Sequence, residues 1–282
     1  KKMKIAMLGL GKMGGNMSAR LIRNGISVVG YDNHPETVKK LEASENLIPS
    51  SSVEDAVSKL EGQKIVWMML PAGDITKKQI ADLIPLLGEG DIIIDGGNSN
   101  FKQSVKMGRM LEEYNIGFMD CGTSGGVWGL DNGYCLMVGA SHEVAKAVEP
   151  ALRALAPTPQ KGWLHVGPVG SGHFTKMIHN GIEYGMMESV AEGLELLKGR
   201  EEFAIDVAKV TELWRHGSVV RSWLLDLTAE ALQSDQNLED IAPFVADSGE
   251  GRWTAVEAIE QGIPAPVLTQ ALQVRFRSQE KS

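Results

Sequence analysis

Lys4-Ile-Ala-Met-Leu-Gly-Leu10 is an apolar run of strand type that passes without a break into Gly9-Leu-Gly-Lys-Met-Gly14 and a helical stretch from Asn16 to Arg23. A strand that ends in GxGxxG and opens a helix leaves few folds available. The first glycine takes the tight turn, the second lets a ligand approach the backbone, and the third lets helix and strand pack closely. The N–H groups at such a helix start, backed by the helix dipole, suit a pyrophosphate. The order predicts a dinucleotide-binding βαβ unit at the head of the chain. A second strand, Ser27-Val-Val-Gly-Tyr-Asp32, ends in an acid about 20 residues past the glycines, where a ribose-binding carboxylate is expected. Asp32 would repel a 2′-phosphate, and no arginine follows in Asn33-His-Pro35, so NAD is the expected cofactor. NADP stays possible because Lys39 and Lys40 lie close in sequence. Asp32 has a second use within reach, capping the helix that starts near Pro35.

Short apolar segments at 5–8, 28–31, 65–70, 92–95, 117–121, 134–138 and 163–166 alternate with helical segments at 12–23, 35–43, 53–60, 76–87, 102–114 and 143–155. Alternation of this kind predicts an α/β fold, an N-terminal Rossmann-type doubly wound and mostly parallel sheet. The glycine-rich connection between Cys121 and Tyr134 predicts an antiparallel pair among the last strands. After Gly172 the pattern changes: 174–197, 204–215, 221–232, 253–261 and 266–277 all carry helical periodicity, and no strand is expected. The boundary is placed at Gly167-Pro-Val-Gly-Ser-Gly172, giving a dinucleotide-binding domain over 1–167 and an all-helical substrate and oligomerisation domain over 168–282.

Composition enters as a set of exclusions. A chain of 282 residues can bury one large or two ordinary cores. No apolar run approaches the roughly 20 residues of a membrane span, and no signal-peptide pattern opens the chain; a soluble cytoplasmic enzyme is expected. Cys121 and Cys135 both sit in apolar, strand-like surroundings and read as reduced core residues, with no disulfide framework and no metal cluster. A formal net charge of −8 argues against nucleic acid as a partner. It leaves an anionic substrate open, because cations inside a cleft outweigh a screened global field.

The chemistry concentrates in three segments. In Gly170-Ser-Gly-His-Phe-Thr-Lys-Met-Ile-His-Asn-Gly-Ile-Glu-Tyr184, residues Lys176, His179, Asn180 and Glu183 are spaced i, i+3, i+4 and i+7. On a helix they share one face. An amine, an imidazole, an amide and a carboxylate on that face can move protons on a bound polar molecule. Ile94-Asp-Gly-Gly-Asn-Ser99 and Asp120-Cys-Gly-Thr-Ser-Gly-Gly-Val-Trp-Gly129 each follow a strand. Ligands collect at strand carboxyl ends in open α/β sheets, and Ser, Asn and paired Gly offer hydroxyl, amide and bare N–H groups to a carboxylate or polyol. His165 and His173 lack such company and read as structural. Trp67, Met68, Met69 and Trp128 read as core or wall.

With these segments in place the chain resembles a known family, the decarboxylating 6-phosphogluconate dehydrogenases of the β-hydroxyacid dehydrogenase superfamily, over nearly its whole length. Gly9-Leu-Gly-Lys-Met-Gly-Gly-Asn16 looks like the family's cofactor turn, and Asp95-Gly-Gly-Asn-Ser99 and Ser124-Gly-Gly126 look like its substrate segments. The run from Gly170 to Gly185 is similar to its catalytic helix almost residue for residue, and Asp247-Ser-Gly-Glu-Gly-Arg-Trp-Thr254 and Gly262-Ile-Pro264 continue the match. The resemblance implies oxidation of 6-phosphogluconate to ribulose 5-phosphate and CO2 with NAD(P). It implies Lys176 as the base that takes the C3 hydroxyl proton and then stabilises the enolate, desolvation lowering its pKa, and Glu183 as the acid that protonates C1. No metal ion is expected, because a carboxylate β to a carbonyl leaves as CO2 unaided.

On the same resemblance Asn98, Ser124, Gly125, Gly126, His179 and Asn180 orient the sugar acid, while Tyr184 and Arg275 hold the phosphate, a task that suits arginine's planar fork. Arg275 also ends a helical stretch, where a cation favours the dipole. Gly9, Leu10, Gly11, Met13, Gly14, Asp32, Leu70, Pro71 and Asn98 are the expected cofactor contacts. The helical part is shorter than in the long members, as in a short branch that tends to prefer NAD, which implies a homo-oligomer, dimer or tetramer, that completes the helical layer. The sequence stops at Ser282, ahead of the tail through which family members place an arginine and a histidine in a neighbour's site. Either that tail is missing from this sequence or the site is left open. Two other functions stay in view: a non-decarboxylating β-hydroxyacid dehydrogenase acting on a smaller acid, and a nicotinamide-binding regulatory module without catalysis.

Overall fold

The computed structural model describes residues 2–280 and falls into two compact units, Lys1–Lys176 and Met177–Ser282. The first unit runs β1 (Lys4–Leu8), α1 (Lys12–Arg23), β2 (Ser27–Tyr31), α2 (Pro35–Glu45), β3 (Ile48–Pro49), α3 (Val53–Ser58), β4 (Ile65–Met68), α4 (Asp74–Leu83), β5 (Ile92–Asp95) and α5 (Phe101–Glu112). It continues through β6 (Gly117–Ser124), α6 (Gly129–Asn132), β7 (Cys135–Ala140), α7 (His142–Leu155) and β8 (Trp163–Gly167) to the start of α8 (Ser171–Gly199).

The eight strands form one sheet in the order β3-β2-β1-β4-β5-β6-β7-β8. All pairs are parallel except β6 with β7, which run antiparallel from Met119↔Ala140 to Ser124↔Cys135. This is the doubly wound architecture that the alternating pattern predicts, with the antiparallel pair at the glycine-rich connection. The period-2 alternation of the strands explains why both faces are covered. Ile5 and Met7 of β1, Ile65 and Trp67 of β4, and Ile92 and Ile94 of β5 enter the core on one face, packed under α1 and α7. Ala6 and Leu8, Val66 and Met68, and Ile93 enter the core on the other, with α3, α4 and α5. Each fully buried Ile, Leu or Met side chain contributes about 1.5–3 kcal/mol of transfer free energy.

The structure differs from the sequence reading at four points. β4 ends at Met68, so Leu70 and Pro71 leave the sheet and lie at its crest. β6 runs on to Ser124 because its antiparallel partner keeps supplying hydrogen bonds. β3, which no periodicity announced, is two residues long and contains Pro49, tolerated because the strand lies at the sheet edge. Cys135 is exposed at the first position of β7 instead of joining the core, whereas Cys121 is buried. Trp67 and Met68 are buried in the core, and Trp128 is about half exposed, in the turn that follows β6.

The second unit carries the rest of α8, then α9 (Val207–Trp214), α10 (Trp223–Ser234), α11 (Glu250–Gln261) and α12 (Pro266–Ser278). No strand occurs in it among the described residues. α9 packs on α10 and α11 on α12. Asp206 and Ser222 cap α9 and α10 by accepting from Lys209 N and Leu225 N, which satisfies N–H groups that a helix start leaves unpaired. Thr254 of α11 donates to the Met177 carbonyl of α8 at 3.0 Å. The buried cluster is small: Tyr184, Ala255, Ala271 and Leu272, with Phe276 against it. No helix among the described residues is long and apolar enough to cross a membrane.

Candidate functional site

At the crest of the sheet β1 turns into α1 at the point where strand order reverses, with β2 on one side of β1 and β4 on the other. Gly9 holds φ +91°, a value that side chains disfavour. A side chain at Gly14 would run into the Gly9 carbonyl, whereas nothing lies within 4 Å of where one would sit at Gly11. The third glycine is therefore a packing residue and the second leaves the backbone open to a ligand. The first turn of α1 contains no acid to oppose an anion. Leu70 Cδ2 lies 3.1 Å from the Cβ position of Gly9, which brings the β4 exit beside the glycine turn. Leu10 is buried and Met13 partly buried, while Gly11, Pro71 and Asn98 are exposed at the same ends of β1, β4 and β5.

Asp32 joins this cradle. Its Oδ2 accepts from Leu10 N at 2.7 Å, and its Oδ1 accepts from His34 N at 2.8 Å and lies 3.1 Å from His34 Nδ1. The cap of α2 is His34, so Asp32 braces the glycine turn instead of serving as that helix's cap residue. Partial burial works to raise its pKa, but the N–H donors of Leu10 and His34 and the His34 ring outweigh it and hold the carboxyl below its ordinary value. It is an anion with lone pairs left for a ribose diol.

Lys176 ends the first unit. It is 7% exposed, and its Cβ lies 2.5 Å from the Cβ position of Gly122 on β6. Only a glycine on the strand allows the helix that close. Ser124 and Gly125 are half-buried and Gly126 is exposed, two to four residues further along from Gly122. Cys121 is buried among these strands, and desolvation pushes its thiol up to about 12, so it is no nucleophile. His173 is buried, with Nδ1 2.7 Å from Ser104 Oγ, and His165 Nε2 lies 2.7 Å from the Ala140 carbonyl, both in the structural roles expected.

Along α8 the order Lys176, His179, Asn180, Glu183 is kept within one continuous helix, so the four lie on one stripe of it. His179 Nδ1 is 2.9 Å from Asn180 Oδ1. In the second unit Tyr184 is 5% exposed and Arg275, from the last turn of α12, lies over its ring at 3.5 Å from the centroid. Arg275 is thus more than a helix-end charge: it stacks on Tyr184 and donates to the Ala246 carbonyl at 2.8 Å. The Tyr184 hydroxyl lies 3.5 Å from Asp247 Oδ1 and 3.4 Å from Ser248 Oγ, and accepts from Ser248 N at 3.3 Å. Asp247 also accepts from Gly249 N and Arg252 Nη2 at 2.8 and 2.7 Å. In sequence Asp247 and Ser248 only open the Asp247–Thr254 motif; their contact with Tyr184 spans 63 and 64 residues, which no local spacing reports. Among the described residues no group of three or more His, Cys, Asp or Glu side chains is placed to hold a metal ion.

A doubly wound sheet with an open glycine cradle and an acid at the end of β2 defines a Rossmann-type nicotinamide-dinucleotide protein, here joined to an all-helical unit. Residues 4–167 match the model of the NAD binding domain of 6-phosphogluconate dehydrogenase, and residues 172–282 match that of the 6-phosphogluconate dehydrogenase C-terminal domain. A putative 6-phosphogluconate dehydrogenase of Bacillus subtilis is 42% identical over 276 residues, covering 98% of this chain and 91% of that protein. An NAD(+)-dependent, decarboxylating 6-phosphogluconate dehydrogenase of Haloferax volcanii is 40% identical over 278 residues, with 98% and 91% covered. The 6-phosphogluconate dehydrogenase of Plasmodium falciparum, solved in apo form and with NADP+ and 6-phosphogluconate, superposes with a TM-score of 0.89 at 29% identity, covering 98% of this chain and 62% of that one. The chain belongs to the 6-phosphogluconate dehydrogenase family.

Proposed function

We propose that this protein carries out the oxidative decarboxylation of 6-phosphogluconate to ribulose 5-phosphate and CO2, with NAD preferred over NADP, and that Lys176 and Glu183 are its base and acid. The observation that carries the reading is Lys176, buried against β6 in the unit that holds the glycine cradle and first on a helical stripe with His179, Asn180 and Glu183. Gly9, Leu10, Gly11, Met13, Gly14, Asp32, Leu70, Pro71 and Asn98 would hold NAD, which would supply the acceptor for the C3 hydride. The open face of Gly11, the acid-free first turn of α1 and the braced Asp32 all fit that group.

Lys176 takes the proton of the C3 hydroxyl as that hydroxyl becomes a ketone. Burial of an amine is the condition under which lysine serves as a base near neutral pH. The 3-keto acid then loses its carboxylate as CO2, and the ammonium of Lys176 donates to the enolate oxygen left behind. Glu183 delivers a proton to C1, completing the ketose. Asn98, Ser124, Gly125, Gly126, His179 and Asn180 orient the polyol and carboxylate, while Tyr184 and Arg275 hold the phosphate. The guanidinium over the tyrosine ring is fixed in plane, which suits it to paired phosphate oxygens.

The assay follows reduction of NAD and of NADP with 6-phosphogluconate while trapping released CO2. Lys176→Met should abolish both oxidation and CO2 release with cofactor affinity near normal, and Glu183→Gln should slow mainly the last protonation. Turnover of the lysine variant above a few per cent of wild type would remove Lys176 from the role of base. We further propose a homo-oligomer, dimer or tetramer, working in the cytoplasm, where phosphorylated sugar acids and the nicotinamide pool reside. The support is the small buried cluster of the second unit beside exposed Leu196, Val219 and Ile259 (77%, 99% and 79%). Light scattering that returned a monomer at micromolar concentration would count against it.

A further inference from the structure

We propose that Asp120 is a positioning residue: its buried carboxylate caps α8 from within the sheet and sets the depth at which Lys176 meets β6. The first N–H groups of a helix have no partner inside it. At α8 two N–H groups are satisfied from a distance, Gly170 N by Asp120 Oδ1 at 2.6 Å and His173 N by Asp120 Oδ2 at 2.8 Å, across 50 and 53 residues of sequence. Asp120 is 0% exposed in the middle of β6, paired with Asp95 of β5 and Gly139 of β7. Burial raises its pKa, and His173 and the two N–H donors offset that only in part. A carboxylate in such a place is costly, and its bonds are spent on the start of one helix.

The surrounding residues make room for this joint. The Cβ position of Gly139 is 2.5 Å from Asp120 Oδ1 and 2.7 Å from Gly172 N. That of Gly172 is 2.5 Å from the carbonyls of Asp120 and Met137. Gly122 lies two residues after Asp120 and on the same face of β6, and it receives the Cβ of Lys176. One face of one strand thus grips the first turn of α8 through Asp120 and seats its second turn at Gly122. His173 adds a lateral tie to Ser104 of α5, and Phe174 packs edge-on against Phe101, with centroids 5.0 Å apart. The helix that carries the base is fixed in height by the carboxylate.

This inference rests on Lys176 being the base. Asp120→Asn keeps one acceptor but turns an NH2 group towards the other N–H donor. The expected result is a fall in kcat of about tenfold or more, since small errors in base placement cost that much, with KM for NAD within twofold. The deuterium isotope effect on kcat for substrate labelled at C3 should rise, because the chemical step becomes slower in every folded molecule. Ser141→Ala removes a cap of the same kind from α7, where Ser141 Oγ accepts from Val144 N at 3.2 Å, and should leave kcat and the isotope effect unchanged. If Asp120→Asn does not fold, Gly139→Ala crowds the same carboxylate and should reproduce the kcat-specific loss. The proposal is overturned if kcat stays within twofold, or if it falls only in proportion to the folded fraction with the isotope effect unmoved. A dead Lys176→Met beside an unimpaired Asp120→Asn rejects Asp120 alone; an active Lys176→Met rejects the base itself.

Discussion

Gly122→Ala tests how closely α8, which carries the proposed base Lys176, must approach the sheet. A methyl group there would lie 2.5 Å from Lys176 Cβ and 2.9 Å from the Gly172 carbonyl oxygen. Carbon atoms in contact rest about 3.5–4.0 Å apart, so about 1 Å must be recovered. Neither neighbour is the free end of a flexible side chain, so α8 or β6 has to move. Gly122 is not among the positive-φ glycines, which leaves crowding as the whole effect. Overpacking of this size costs about 1–3 kcal/mol of stability. A base displaced by about 1 Å costs on the order of 100-fold in rate. The expected variant is folded, melts a few degrees lower, binds NAD normally and loses about 10–100-fold in kcat, as measured by steady-state kinetics, thermal denaturation and NAD titration. Gly193→Ala, on the helix that carries Lys176, is the control: nothing lies within 4 Å of its Cβ position, so activity should hold and stability rise by about 0.5–1 kcal/mol. A Gly122→Ala enzyme with kcat within twofold of wild type would show that the close approach does not position the base.

Two other perturbations separate the cofactor and substrate ends. Asp32→Ala removes a charged acceptor worth about 1.5–3 kcal/mol, so kcat/KM with NAD should fall about 10–100-fold while that with NADP holds or improves; an unchanged preference would assign discrimination elsewhere. Arg275→Met should raise KM for 6-phosphogluconate about 10–100-fold, by the loss of a charge-assisted phosphate pair, with KM for NAD unaffected. A variant whose two KM values rose together would instead report a general disturbance of the fold.

The Tyr184 neighbourhood shows where local reading stops. Tyr184 and Arg275 were legible as separate motif positions, yet their stacking depends on α12 packing beside α8 and α11. The same holds for Asp120, which in sequence only opens a glycine-rich segment; its partners are about fifty residues downstream. The misplaced reading of Cys135 has a physical cause. Cys135 is apolar by type, but it occupies the crest of the sheet, and residue type carries no information on how far along a strand the covering helices reach.

Sequence alone determined the alternation that yields a doubly wound sheet, the glycine turn at the end of β1, the acid closing β2 and the stripe of Lys176, His179, Asn180 and Glu183 on one helix. These follow from periods of 2 and 3.6 residues and from glycine's freedom, all of which act over a few residues. Only the tertiary structure decided that Asp32 braces the cofactor turn, that Asp120 holds the first turn of α8, and that Gly122 admits Lys176 to the sheet. Those relations join residues dozens of positions apart, and packing sets their distances where no spacing rule can.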